Sequence, residues 1–195
     1  MNIPAASDVG TSPPVSALRK ALNLQCGDRA LHQEMVDLLY YEAWLLDNDK
    51  FEDWLELIAA DASYVAPIRR KIADEGLTLA SLDDHTVHVG HFNDGKMELG
   101  LRIARMRTGF DHYNRPASLS RRIIGNIRIL GRDTAADTVT LTSNFLVFRA
   151  REEREETLFA GARDDVWRRT GKEWELVRRL IKLDHHMVPP LSQIF

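Results

Sequence analysis

The chain has 195 residues, 44% hydrophobic and 28% charged, enough for one well-buried domain of ordinary globular composition. Its 26 basic and 29 acidic residues leave a formal net charge of -3, which gives no general field to draw nucleic acid or an anionic membrane. No apolar run approaches the roughly 20 residues of a spanning helix, no basic-then-apolar leader opens the chain, and the single cysteine, Cys26, cannot form an internal disulfide; a soluble cytoplasmic protein is expected.

Residues 1–16 carry Pro4, Pro13 and Pro14 among Ser, Gly and Thr. Such a composition buries little apolar surface and reads as a flexible N-terminal arm, followed by a single α+β domain over 17–195. Val15 to Leu24 reads as a short helix stopped by Gly27. Asp28 then starts the main helix, running to about Leu46, with Leu38, Leu39, Ala43, Leu45 and Leu46 as its apolar stripe. Asp47-Asn48-Asp49 breaks it, because Asp and Asn side chains compete for backbone hydrogen bonds. Asp49 is placed to cap a second short helix, with Glu52 as capping-box partner and Trp54, Leu55 and Ile58 facing inward. From Asp61 to Pro67 helical periodicity is lost, and the residue before Pro67 is driven toward extended geometry.

Gly76 to Asp84 reads as a loop, Thr86 to Gly90 as a short extended piece and His91 to Gly95 as a turn. Lys96 to Arg107 places Met97, Leu101 and Ala104, with Leu99, Ile103 and Met106, at helical spacing, and Thr108-Gly109 ends that helix. From Ser118 the pattern turns to strands. Ser120 to Arg132 is the first. Asp137 to Arg151 is the clearest, with Val139, Leu141, Phe145 and Val147 alternating with Thr140, Thr142 and Asn144. A solvated tip follows at Glu152 to Glu156. Thr157 to Arg168 returns, 170–172 turns, and Trp174 to Leu183 is the last long strand. The tail from Pro189 to Phe195 ends apolar and is expected to dock on its own core or on a neighbour. Helices followed by successive antiparallel strands make an α+β domain with helices on one face of a curved sheet.

The candidate chemistry is thin. His85, His88 and His91 follow Asp83-Asp84, and two histidines with a carboxylate can hold iron or zinc. On a strand, positions three apart point to opposite faces, so solvated loop histidines are the preferred reading. Asp184-His185-His186 looks like an acid/base pair, yet adjacent strand residues also point apart. Cys26 sits near a helix end that does not lower a thiol pKa. Arg102 with Arg105, and Arg121 with Arg122, are better explained by ion pairs within or between subunits than by nucleic acid, given the acidic balance. The 149–156 charge run reads as a solvated hairpin, and Trp44, Trp54, Trp167 and Trp174 as core. No GxGxxG, phosphate loop or repeat is present. Composition and spacing therefore stop at an α+β domain without a convincing active site.

Several separated motifs, in order over about residues 30–195, resemble the small (β) subunits of aromatic-ring-hydroxylating (Rieske non-haem iron) dioxygenases. They are Glu42-Ala-Trp-Leu-Leu-Asp47, with Trp54-Leu55 and Asp61-Ala-Ser-Tyr64-Val-Ala-Pro67-Ile-Arg69; Leu101-Arg102-Ile-Ala-Arg105-Met-Arg-Thr-Gly109; Pro116-Ala-Ser118-Leu-Ser-Arg121-Arg122 through Asn126-Ile127; Gly161-Ala-Arg163-Asp164; Arg179-Leu-Ile-Lys-Leu183-Asp184; and the closing Leu191-Ser192-Gln-Ile-Phe195. Asn114-Arg115-Pro116-Ala117 departs from the pattern, which usually carries an acidic residue and a second proline, and the proline-rich arm is longer than in many relatives.

The resemblance implies the cone-shaped fold of nuclear transport factor 2 (cystatin-like), with N-terminal helices on a strongly curved, mostly antiparallel sheet. It implies a trimer that joins three large (α) subunits in a hexamer. The large subunit would hold the Rieske [2Fe-2S] cluster and the mononuclear iron. The complex would add both atoms of dioxygen to an aromatic ring, giving a cis-dihydrodiol, with NAD(P)H electrons delivered through ferredoxin and reductase. A Rieske centre takes two Cys and two His, and one Cys cannot supply it. This chain is therefore expected to be a non-catalytic assembly subunit without cofactor, its interface guessed at Arg102, Arg105, Arg121, Arg122 and Phe195. Two rivals share the cone: a stand-alone dehydratase or isomerase using Asp61, Tyr64, His112 or Tyr113 in an open cavity, and a plain small-ligand-binding module.

Overall fold

A computed structural model describes residues 28–67, 69–72, 76–79, 90–108, 119–151, 155–185 and 194. The arm, the helix expected at Val15 to Leu24, Cys26, His85, His88, His112, Tyr113, His186 and Phe195 lie outside the described residues.

Helix α1 spans Arg29–Asp47, with Asp28 at its N-cap accepting a hydrogen bond from the Leu31 N–H at 3.0 Å. Leu31, Met35, Leu39, Ala43, Leu45 and Leu46 face the core, with Leu38 partly buried beside them. The helix stops at Asn48, and Asp49 takes a left-handed φ of 55°. That conformation suits Asn and Asp but does not present a cap. The short helix α2, Phe51–Glu56, is consequently preceded by Lys50 with no side-chain cap. The expected Asp49–Glu52 capping box is absent, because Glu52 instead takes a two-pronged ion pair from Arg107.

Strand β1, Ile58–Pro67, follows at once. Two short strands, β2 (Arg69–Ile72) and β3 (Gly76–Leu79), pair as an antiparallel ribbon, so the first part of the stretch expected to be a loop is extended. Strand β4, Gly90–Asp94, replaces the turn expected at His91 to Gly95, because its backbone pairs with the edge of β1. Helix α3, Lys96–Thr108, comes next. It faces the core through Leu99 and Ile103, with Met106 partly buried, and turns Met97 and Leu101 outward.

Four long strands complete the chain: β5 (Leu119–Asp133), β6 (Thr138–Arg151), β7 (Glu155–Thr170) and β8 (Glu173–Leu183). The six-stranded sheet has the order β4-β1-β8-β7-β6-β5, with β1 and β8 parallel and every other pair antiparallel. Alternation is strict on β6, where Val139, Leu141, Phe145 and Val147 enter the core. One departure is Arg149, expected in the solvated run but buried, since it shares the inward parity of Val147. Of the tail, Ile194 is described: it is 2% exposed, and its carbonyl accepts from Arg122 Nη2 at 2.6 Å.

Gly161 sits where β7 crosses β8. A Cβ there would clash with the Lys182 carbonyl oxygen and meet the Phe145 ring at 2.9 Å. The Gly161→Ala variant is expected to lose about 1–3 kcal/mol or more of stability through backbone displacement, read as a lower urea midpoint. A midpoint equal to wild type would show that the strands separate freely there.

Candidate functional site

Within the apolar core lies a cluster of buried ions. Glu42, from the middle of the apolar stripe of α1, is 1% exposed, and Arg179 of β8 is 0% exposed. Arg179 grips Glu42 with Nη1 to Oε1 at 2.6 Å and Nη2 to Oε2 at 3.0 Å. The same guanidinium donates from Nε and Nη2 to the two carboxylate oxygens of buried Asp165, each at 2.8 Å. Arg163 completes a charge-neutral set. Its Nη2 lies 3.0 Å from Glu42 Oε2 as an ion contact without hydrogen-bond alignment, and its Nε donates to Ser143 Oγ at 3.2 Å. The Trp54 indole N–H donates to Glu42 Oε1 at 3.1 Å. Arg179 also stands 5.6 Å from the ring centroid of buried Tyr64, which meets Trp54 edge-on.

Burial by itself raises the Glu42 pKa, but the fields of Arg179 and Arg163 and the bonds from Arg179 and Trp54 overcome it and hold the group at about 2, against an ordinary 4.5. Burial likewise opposes the charge on Arg179, and Asp165 and Glu42 outweigh it, driving its pKa upward. Burial raises the Tyr64 phenol. Glu42 and Arg179 are thus each held in the charged form by their partners. An acid/base catalyst needs a group poised to exchange a proton with substrate, and these groups are locked and closed off.

The other described candidates have structural surroundings of their own. Asp61 is solvent-facing, bound through both oxygens by Arg168, and is far from a cavity role. His185 packs edge-on to Phe159 at 5.9 Å. His91 belongs to β4 by its backbone. Among the described residues no three His, Cys, Asp or Glu side chains gather to hold a metal ion. Trp54, Trp167 and Trp174 are core, whereas Trp44, expected there too, is 54% exposed. The expected arginine pairs divide. Arg102 is bound to Asp94 at 2.6 Å. Arg122 is buried, with its backbone N–H and Nη1 on Asp47 at 2.9 and 2.6 Å. Arg105 and Arg121 present their side chains at the surface.

What faces outward is apolar. In the β5–β6–β7 ladder Arg121 pairs with Phe148 and Phe148 with Leu158, while Ile123 pairs with Leu146. Ile123, Leu146, Phe148 and Leu158 are all exposed on that sheet face, as are Met97 (71%) and Leu101 (65%) on α3. Contiguous apolar surface of this kind marks an interaction site.

A family model for the ring hydroxylating beta subunit matches residues 41–190. The chain belongs to that family. The subunit is 37% identical over 158 residues to the 3-phenylpropionate/cinnamic acid dioxygenase subunit beta of Photorhabdus laumondii, covering 79% of this chain and 84% of the relative. It is 31% identical over 165 residues to the biphenyl 2,3-dioxygenase subunit beta of Rhodococcus jostii, covering 83% and 86%. A chain of naphthalene 1,2-dioxygenase with indole bound superposes with a TM-score of 0.74 at 23% identity, covering 96% of this chain and 95% of the other. That likeness establishes the fold, the cone of nuclear transport factor 2 type.

Glu42, Arg163, Asp165 and Arg179 were not expected from the sequence as a site. A signal existed on β7, where Arg163 and Asp165 share the parity of Phe159 and Trp167. Breaking the network leaves carboxylates buried without a counter-charge, so Arg179→Met is expected to cost about 3–5 kcal/mol, read by urea unfolding. Glu42 has a folded pKa below its ordinary value. Its contribution is therefore complete above about pH 4.5 and drains as pH falls toward about 2. The acid-induced drop in the urea midpoint is expected to be smaller in Glu42→Gln than in wild type, and an equal drop would mean that Glu42 is not the group titrating.

Proposed function

We propose that the subunit is the assembly component of a terminal oxygenase acting on an aromatic ring, in a hexamer of three large and three small subunits built around a trimer of small ones. The observation that carries this is the pairing of a closed, neutral ion network buried between α1 and the sheet with large apolar side chains turned outward on two faces. The stand-alone dehydratase or isomerase reading required a poised acid or base, and the buried carboxylates Glu42 and Asp165 are both tied up by Arg179.

The chain's own residues do not fit a Rieske cluster, which takes two Cys and two His, because only Cys26 is available. The cluster and the mononuclear iron accordingly belong to the large subunit in this reading, with electrons arriving there from NAD(P)H through ferredoxin and reductase. Arg121 beside Phe148, and Arg105 on α3 with Met97 and Leu101, are the arginines best placed at subunit contacts. Arg102 and Arg122 contribute from inside, by holding Asp94 and Asp47. Cytoplasmic residence agrees with the absence, among the described residues, of any helix long and apolar enough to cross a membrane.

Co-expression with the neighbouring large subunit tests the reading through mass in solution and iron content. A metal-free small subunit that yields an iron-loaded hexamer only on mixing is the expected result. A small subunit that ignores the large one would sink it. Phe148→Glu with Leu158→Glu places carboxylates on the outer sheet face and is expected to abolish assembly while leaving the far-ultraviolet circular dichroism of the chain unchanged. An intact hexamer in that variant would remove this face from the interface.

A further inference from the structure

Two exposed apolar patches stand at opposite ends of the sheet order. One is the outer ridge of α3, whose other side packs on α2, β1 and β4. At about 100° per residue, Met97, Glu98, Leu101 and Arg105 fall within one arc of about 100°, facing away from Leu99 and Ile103. All four are exposed. The other patch is the seam between α1 and the edge strand β5. There Tyr40, Ala43, Trp44 and Ile123 line a hollow of about 410 Å³, with Arg121 on its rim. Asp37, Tyr40, Tyr41 and Trp44 likewise share one arc of about 100° on the solvent side of α1, and all are exposed. Trp44 stacks on Tyr41 with ring centroids 6.3 Å apart.

We propose that these two patches meet across the small-subunit trimer, the α3 ridge of one copy seating in the α1–β5 hollow of the next. The inference rests on the trimer reading above and names the surfaces that build it. A symmetric dimer needs one patch that fits itself, whereas a closed ring needs two unlike patches on every chain. The shapes match. Met97 and Leu101, four apart, form one row on the surface of α3. Tyr40 and Trp44, also four apart, form a row on α1 beside the hollow, so that one row can lie in the groove flanking the other.

The charges match in one orientation. Glu98 lies in the first turn of α3 and Arg105 in its last. On the seam, Asp37 lies a turn before Tyr40 and Tyr41, and Arg121 stands at the far end, 3.9 Å from Asp47. With α3 antiparallel to α1, Glu98 meets Arg121, and Arg105 meets Asp37 and the neighbouring aromatic faces. Glu98 and Arg105 stand about 10 Å apart along α3, and Asp37 and Asp47 about 15 Å apart along α1, at 1.5 Å per residue. The two long arginine side chains span that difference. Reversing α3 would set Arg105 against Arg121 and Glu98 against Asp37, like against like. The chain thus carries both halves of the junction, in charge order as well as shape, which favours a second copy over the large subunit as the occupant.

Mass in solution of the small subunit, alone and co-expressed with the large subunit, tests the junction. Leu101→Glu spoils the ridge and Trp44→Glu the hollow. Both positions are exposed, so the far-ultraviolet circular dichroism stays that of wild type. Each variant alone is expected to lose the trimer, its mass falling about threefold to that of a monomer. An equal mixture of the two is expected to stop at a dimer, because one intact ridge still finds one intact hollow and no ring closes. If the wild type is a trimer and either variant is still one, the junction is overturned and the trimer reading stands. Variants that are monomers both apart and in mixture overturn it too, because the patches then do not face each other. A variant that keeps the trimer and loses only the large subunit overturns it in favour of that partner. A wild-type small subunit that never forms a trimer overturns the trimer reading, and the junction with it.

Discussion

The structure turns on a single buried interaction, the Glu42–Arg179–Asp165 chain with Arg163 against it. Taking four ions out of water is costly, and their mutual attraction repays the cost only where geometry is good and the remaining donors and acceptors are met. Here the contributors come from separate elements. Glu42 is on α1, Arg163 and Asp165 on β7, Arg179 on β8, with Trp54 of α2 and Tyr64 of β1 closing the shell. No one of these elements can shift against the others without leaving a charge unpaired. The network therefore fixes the seating of the helices on the sheet.

A second set of bonds deals with the long edge strand. The β5 backbone N–H at Arg122 is taken by Asp47, and the carbonyl of Ile127 meets the His32 ring nitrogen at 3.2 Å. An unprotected edge of this length invites pairing with other chains. The two α1 side chains occupy bonds that a foreign strand would use, and the Arg122 bond to the Ile194 carbonyl brings the C-terminus to the same place. Part of the edge is thus capped by α1 while the apolar face of the sheet stays open.

The four long strands were legible because their alternation persists over more than ten residues, and α1 was legible from its stripe and its Asp28 cap. Strands β3 and β4 were not, since their extension comes from pairing with β2 and β1 and not from their own composition. Helix α3 carries apolar residues on both sides, so its period located the helix without saying which side is inward. The adjacent pair Arg121 and Arg122 looked alike in sequence, yet the period of two sends one into the core onto Asp47 and the other to the surface. The ion network was hidden for a general reason. Charged residues at inward parity read as breaks in a pattern, and only the three-dimensional meeting of α1, β7 and β8 shows that each break answers another. The family resemblance supplied what periodicity did not, the division of labour between this chain and a larger partner.

The parallel pairing of β1 with β8 sets the order in which the molecule is completed during synthesis. Ser63, Tyr64 and Val65 lie beside Arg178, Arg179 and Leu180, with nearly the whole domain between them in sequence. Without β8, β1 with β4 and β5 with β6 and β7 are not joined in one sheet, each has an open edge, and Glu42 has no Arg179. The last long strand is thus the keystone of the sheet, and closing it costs a large loop entropy before any contact rewards it. Completion of the sheet therefore waits on the last long strand, and the edges most prone to mispairing stay open until it arrives.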